Sequence, residues 1–325
     1  MEYYIKQSRL ADSFYCIADK CPSTCCTGWS VIWSAEEISK LKEVCKGDLL
    51  EKCKIAFPCE EKYNAIKMDK DDLCPFLSEG LCEIHRQLGK EYLSYTCRQY
   101  PVIIRLIDNK FVKSSKTTCY AVVDKLLSDE SCMDLVTNKV TEKNIFAMIT
   151  SEESIADRKI TDKLEKILWD NSITLNEALI KCARIMCIAE DGKIAELNEV
   201  FRNIFGWDLI LCDDNIREDT DRFDNICPNS IRNIIKSLFM EWKISGWSDK
   251  LSQTENVCVF IFSAASMMKA YQEAYRSASK RDELICSVND IAGVLYSNME
   301  IPLMISGYLS ENKLMNIDFI SYILK

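Results

Sequence analysis

Phe14-Tyr-Cys16-Ile-Ala-Asp-Lys-Cys21-Pro-Ser-Thr-Cys25-Cys26-Thr-Gly-Trp29 places four thiols within eleven residues, separated only by short, turn-forming or polar stretches. A second set follows at Cys74-Pro-Phe-Leu-Ser-Glu-Gly-Leu-Cys82, at Thr96-Cys97-Arg98-Gln99-Tyr100-Pro101 and at Thr118-Cys119. Thiolates at such spacings suit an iron–sulfur cluster or thiolate-bound zinc, since both take sulfur ligands in near-tetrahedral array. The plainer reading, buried cysteines packing as small apolar side chains, accounts well for scattered single thiols. It does not account for an adjacent pair inside a four-cysteine knot flanked by Pro22 and Gly28. Metal binding is the expectation for this end of the chain.

Composition narrows the field. The chain has 325 residues, 48% hydrophobic and 28% charged, enough for one large or two medium globular domains. A net charge of −9 argues against a nucleic-acid binder held by phosphate contacts and is compatible with a cationic protein partner. Met1-Glu-Tyr-Tyr-Ile-Lys6 lacks a signal-peptide pattern, and the longest apolar run, Val257 to Met268, is too short to span a bilayer. The expectation is a cytoplasmic protein with no membrane segment, where thiols stay reduced. Twelve of the 18 cysteines fall in the first 132 residues, so the chemistry is concentrated at one end. A single histidine, His85, argues against a Ser/His/Asp triad and against histidine-based zinc or iron sites.

Local patterns give the architecture. Trp29 to Trp33 reads as a strand, and Ser34-Ala-Glu-Glu37 is a capping box opening a helix to about Cys45. Residues 47–72 read as a short helix and a loop. Cys74 to Cys82 reads as a tight turn with Gly80 free to take a positive φ. Tyr100 to Ile107, Asp108-Asn109 and Lys110 to Lys113 read as a β-hairpin, which would bring Cys97 at its entry near Cys119 past its exit. Beyond residue 119 the period becomes helical. Thr174 to Glu177 caps a helix with Leu175, Leu179, Ala183 and Met186 on one stripe, and Ile231, Ile234, Ile235, Leu238, Phe239 and Trp242 mark another. Val257 to Ala278 and Ser287 to Ser297 continue as helices. The predicted fold is mainly α: an N-terminal cysteine-rich metal-binding module with a small β-hairpin over residues 1–135, packed on a C-terminal helical domain over 136–325.

Several motifs are missing. The nine glycines are never closer than nine residues apart, so no dinucleotide fingerprint and no P-loop is present. Gly28 stands where the last cysteine of a Cys-x3-Cys-x2-Cys cluster motif begun by Cys21 and Cys25 would fall. The run Asp213 to Asp224 has Arg217 at a calcium-ligand position and Glu218 in place of the turn glycine, so it reads as a solvated acidic loop.

The cysteine pattern carries a resemblance. Phe14-x-Cys16, Cys21-Pro-x-Thr-Cys25-Cys26-x-Gly-Trp29, Cys74-Pro-Phe-Leu, Leu81-Cys82-x-Ile84 and Leu88-Gly89 through Ser94-x-Thr96-Cys97-Arg98-x-Tyr100-Pro101 resemble the flagellin lysine-N-methylase family. That family sits within a wider eight-cysteine group regarded as zinc- or iron-chelating. The likeness covers residues 14 to about 120. It implies a cytosolic bacterial protein-lysine N-methyltransferase acting on flagellin, with S-adenosylmethionine as methyl donor and a structural or cofactor-positioning iron–sulfur cluster, 4Fe-4S, with zinc as the alternative. The matching cysteines are Cys16, Cys21, Cys25, Cys26, Cys74, Cys82, Cys97 and Cys119. Eight ligands exceed the four that one cluster needs, which leaves open two metal sites or one site with structural extras. Ser34, Val102 and Tyr120 depart from the acidic, basic and proline residues usual in the family at those places.

Arg98 and Tyr100, beside a candidate ligand, are the cofactor-binding candidates, set against a structural ion pair for Arg98 and plain packing for Tyr100. Trp29 reads as a lid over the metal, His85 as a surface residue or an added ligand, and Cys45, Cys53, Cys59 and Cys132 as plain thiols. Two other classes compete with the enzyme: a redox iron–sulfur protein and a non-catalytic, metal-stapled interaction module.

Overall fold

A computed structural model of the chain describes residues 3–27, 31–58, 61–107, 110–140, 158–186, 223, 226–246 and 253–297. Its strands are β1 (Tyr3–Ser8), β2 (Ile32–Ser34), β3 (Tyr63–Ala65), β4 (Leu77–Ser78), β5 (Leu81–Cys82), β6 (Val102–Ile107), β7 (Lys110–Ser115) and β8 (Leu135–Val140). The first helices are α1 (Arg9–Ser13), α2 (Ala35–Val44), α3 (Asp48–Ala56), α4 (Glu83–Leu88), α5 (Tyr95–Gln99) and α6 (Tyr120–Ser128). Those that follow are α7 (Arg158–Leu168), α8 (Leu175–Met186), α9 (Ser230–Glu241), α10 (Gln253–Ser277) and α11 (Arg281–Ser297). The class is mainly helical with some strands, as the periodicity predicts. Among the described residues no helix is long and apolar enough to cross a membrane. Cys59, Trp29, the Asp108-Asn109 turn and the acidic run from 213, apart from Phe223, lie outside the described residues.

The chain forms two compact units, residues 15–101 and residues 1–14 together with 102–325. In the smaller unit, α2 begins where the capping box predicts. The Ser34 hydroxyl accepts the Glu37 N–H at 3.2 Å, and the Glu37 carboxylate accepts the Ser34 N–H at 2.9 Å. Ile38 and Leu41, three apart on one helix face, enter a core with Trp33, Leu49, Phe57, Phe76 and Ile84. Rings of Trp33 and Phe57 lie 5.2 Å apart. Between β4 and β5, Glu79 at φ 52° and Gly80 at φ 75° are both left-handed, as a two-residue hairpin with type I′ twist requires. Gly80 takes the positive φ expected of it.

The larger unit is built around a four-stranded sheet in the order β6-β7-β1-β8. The predicted hairpin is present: β6 and β7 pair antiparallel, with Val102 opposite Ser115. β1 then adds parallel to β7, with Ile5 opposite Phe111, and β8 adds antiparallel to β1, with Tyr3 opposite Val140. Parallel neighbours need a long crossover, and here that crossover is the whole of residues 15–101. The boundary of the cysteine-rich unit therefore falls at 14/15 and 101/102, where the sequence placed it near 135. The hairpin and Cys119 accordingly belong to the unit with the long helices. Strand pairing across a hundred residues leaves no trace in composition.

Helices α8, α9, α10 and α11 are present where helices are predicted, and α9 buries most of its predicted stripe. Ile234, Ile235, Leu238, Phe239 and Trp242 are buried, with the Phe239 ring edge-to-face at 5.2 Å and the Trp242 ring tilted at 5.0 Å against Phe260 of α10. α8 opens on the predicted Thr174–Glu177 box, the Glu177 carboxylate accepting the Thr174 N–H at 2.8 Å. α10 and α11 start at Gln253 and Arg281, earlier than Val257 and Ser287, because their first turns are polar and escape an apolar count. Asp282 and Glu283 sit in the first turn of α11, where the helix dipole favours them.

Candidate metal centre

Four of the eight predicted thiols in the smaller unit, Cys26, Cys74, Cys82 and Cys97, lie near enough for their charges to act on one another. Each comes from a different short element, and backbone bonds fix each one. The Cys74 N–H donates to the Cys26 carbonyl at 2.8 Å, and Thr27 bridges Leu73 beside it. Cys82 pairs with Leu77 across the β4–β5 hairpin and is the N-cap of α4. Cys97 lies in α5, whose N-cap Ser94 accepts the Cys97 N–H at 3.1 Å. Cys74, Cys82 and Cys97 are partly buried against the core containing Phe76 and Ile84.

The electrostatics report the convergence. Burial pushes the Cys74 thiol up to about 12; an N–H from Phe76 opposes this, and proximity to Cys26, Cys82 and Cys97 adds to it. Burial likewise raises Cys97 to about 11, against a hydrogen bond with Ser94, with Cys82 and Cys26 adding. Cys82 is raised by burial, against an N–H from His85, with Cys26 adding. Cys26 alone is lowered, to about 7, chiefly by its hydrogen bond with Cys25. Cys26 is thus the thiol of the four most readily deprotonated, and burial disfavours charge on the other three. A soft cation inverts that balance, since coordinated thiols give up their protons outright. In donor chemistry the four fit a thiolate-bound centre. Their sulfurs are not drawn in to share one: among the described residues no three His, Cys, Asp or Glu groups are placed to hold a metal ion.

The other predicted ligands divide. Cys25 is exposed beside Cys26. Cys16 and Cys21 form a pair of their own across the short turn Ala18–Lys20, with Cys21 raised first by burial and also by Cys16. The Ala18 N–H donates to the Cys16 sulfur at 3.4 Å. Cys119 lies in the other unit, where it is the N-cap of α6. His85 is exposed in α4 and joins no such group. Cys45 and Cys53 are buried in the core with sulfurs 3.5 Å apart, and Cys132 is buried as well.

Arg98 engages Glu37 at 3.6 Å and the Glu91 carbonyl at 3.4 Å. Tyr100 is the C-cap of α5 and precedes a cis bond to Pro101.

Comparison with known proteins adds an ancestry. FliU, a flagellar biosynthetic protein of Salmonella muenchen, is 23% identical over 144 residues, which are 41% of this chain and 83% of FliU. Lysine-N-methylases of Salmonella typhimurium and Salmonella choleraesuis are each 23% identical over 219 residues, 62% of this chain and 52% of theirs. The chain is a distant relative of these proteins. It spans about half the length of the two methylases. No protein-family profile matches the chain. No solved structure matches it either.

One positioning residue escaped the sequence reading. Glu37 was legible as half of a capping box, but its second oxygen also accepts the Tyr95 N–H at 2.6 Å. That bond ties the start of α2 to the start of α5, and so sets where Cys97 stands. The only sequence trace is Ser94, a helix cap three residues before Cys97.

Proposed function

We propose that the chain is a protein-lysine N-methyltransferase acting on flagellin, with S-adenosylmethionine as methyl donor and an iron–sulfur cluster, or zinc, as a structural centre. The observation that carries this reading is the distant similarity to lysine-N-methylases over 219 residues. The flagellar name of FliU supports the substrate. The convergence of Cys26, Cys74, Cys82 and Cys97 supports the centre, and these four residues would hold it. When bound, such a group would cross-link short elements distant in sequence, so that folding and metal binding are coupled.

Methyl transfer from a sulfonium to an amine is a polar displacement. The chain must hold amine, methyl carbon and sulfur in line and take the proton of the lysine ammonium. With one histidine in the sequence, that proton passes to a carboxylate, a tyrosine or water.

The test is direct. The full chain, purified anaerobically, is assayed for iron, sulfide and zinc, then incubated with methyl-labelled S-adenosylmethionine and flagellin. Label recovered as N-methyl-lysine is the expected result. Stoichiometric metal with no label transferred would instead favour a metal-stapled interaction module. The Arg98–Glu37 pair, which engages a candidate cofactor residue inside the protein, is the observation on that side. A reversible potential with no label transferred would favour a redox protein.

A further inference from the structure

The helical unit holds a cavity of about 570 Å³ between the start of α8, the start of α9 and the side of α10. That volume suits a small molecule. Two of its lining side chains are basic and buried: Arg232 is 7% exposed and Lys236 is 6% exposed, one helical turn apart on α9. Buried cations ordinarily have a carboxylate partner, because desolvating an unpaired charge is costly. Their direct hydrogen-bond acceptors among the described residues are all neutral, and the charges of Asp170, for Arg232, and Asp134, for Lys236, act on them without a direct bond. Arg232 donates to the Asp170 carbonyl at 2.8 Å, to the Asn171 side chain and to the Ile173 carbonyl. Lys236 donates to the Asn171 side chain at 3.2 Å and lies over the Trp169 ring at 5.4 Å.

The nearby carboxylates are occupied or at the surface. Asp170 is exposed and accepts the N–H and hydroxyl of Ser172. Asp134 is half-exposed and sits 3.7 Å from Arg9. Glu130, at the cavity rim, is exposed. Burial holds both cations below their usual ranges, and for Lys236 the charge of Arg232 is the next cause. The two repel each other on one wall of the cavity. The N-terminal end of α9 adds positive potential at the same wall, while that of α8 is already answered by the Glu177 carboxylate. No side chain caps the first turn of α9, where Asn229 takes a left-handed conformation.

We propose that this cavity binds a small carboxylate-bearing molecule, its carboxylate set against Lys236 and Arg232. Resting on the methyltransferase reading, that molecule is the methyl donor, held here by its amino-acid end. Apolar lining from Ile173, Leu175 and Met268 leaves room for the remainder of the ligand. The neutral acceptors already fix both cations, so an entering carboxylate finds them oriented, and charge-assisted bonds to it are the strong kind.

Calorimetric titration of the full chain with S-adenosylhomocysteine and with 5′-methylthioadenosine, which lacks the carboxylate, tests the inference. Saturable binding of S-adenosylhomocysteine at least about tenfold tighter than that of methylthioadenosine is expected from the loss of a charge-assisted pair. Lys236→Met should weaken S-adenosylhomocysteine by a similar factor and leave methylthioadenosine unchanged, while Lys236→Arg keeps both. Circular dichroism without ligand verifies that the variants fold, and the two-ligand comparison on the unaltered chain stands if one does not. Equal affinity for the two ligands, no binding of S-adenosylhomocysteine, or indifference to Lys236→Met would each overturn it. Methyl transfer to flagellin alongside a Lys236→Met protein that binds normally would remove this cavity and keep the methyltransferase. Carboxylate-dependent binding without methyl transfer would do the reverse.

Discussion

The two units solve the same problem by different means. Residues 15–101 are folded from short pieces, two of them two-residue strands, around a single apolar cluster. The remainder places long helices around buried Phe239, Trp242, Phe260 and Tyr271. Long helices bury enough apolar surface to hold themselves together; short pieces do not, and small domains of that kind commonly rely on a cross-link. The thiols follow the division. The thiols that act on one another as a group of four are in the small unit, while in the large unit Cys182 is buried and Cys132 is buried near Cys227. Cysteine therefore means two things in one chain: ligand candidate where partly buried thiols gather, apolar filler where a thiol is sunk in a core, as Cys45 and Cys53 are in the small unit and Cys182 in the large one.

The largest effect that tests this contrast is expected from Cys97→Ala. Thiolate metal sites in small domains carry apparent binding free energies of about 10 kcal/mol or more. Metal content should fall to background, and limited proteolysis should open residues 15–101 while the helical unit persists. A variant with normal metal and normal protease resistance would break the contrast.

Leu238→Ala addresses the other side. Leu238 is fully buried in α9, and truncating such a side chain costs about 2–5 kcal/mol. Chemical denaturation should show that loss with metal content unchanged. Metal released in step with the helices would mean that the two units do not stand on separate supports.

Ser34→Ala is the smallest of the three. It removes the hydroxyl that caps α2, at a cost of about 1 kcal/mol, which lowers a midpoint by about 4–8 °C in a domain of this size. Because Glu37 also holds the start of α5, the loss should appear in the cysteine-rich unit alone. An unchanged midpoint would show that the second bond of Glu37, to Tyr95, is enough to seat the helix.

What the sequence made legible was local. Capping boxes at Ser34 and Thr174, the left-handed Gly80, the β6–β7 hairpin and the apolar stripe of α9 each follow from residues within one or two turns of each other. What it did not make legible was pairing at a distance. The place of Tyr3–Ser8 beside Phe111 and Val140 depends on contacts that no short window contains. At the candidate centre the same limit applies. Cys74 and Cys82 are visibly one hairpin, whereas the grouping of Cys26 with Cys97 depends on the Cys26–Cys74 backbone bond and on Glu37. Arg232 and Lys236 read as ordinary helix charges; only their burial beside a cavity marks them.

The position of β1 has a consequence for synthesis. It is an inner strand of the sheet, yet both neighbours, β7 and β8, lie more than a hundred residues further along the chain. As the polypeptide emerges from the ribosome, Tyr3–Ser8 must wait unpaired while the whole cysteine-rich unit is made. An exposed strand edge in that interval invites wrong partners. Early folding of residues 15–101 would shorten the effective distance between β1 and β7, because a compact insert brings its two ends closer than a loose one of equal length. On the metal-bound reading proposed above, supply of metal during translation would then bear on the yield of the helical unit, although none of α6 to α11 carries one of the four proposed ligands.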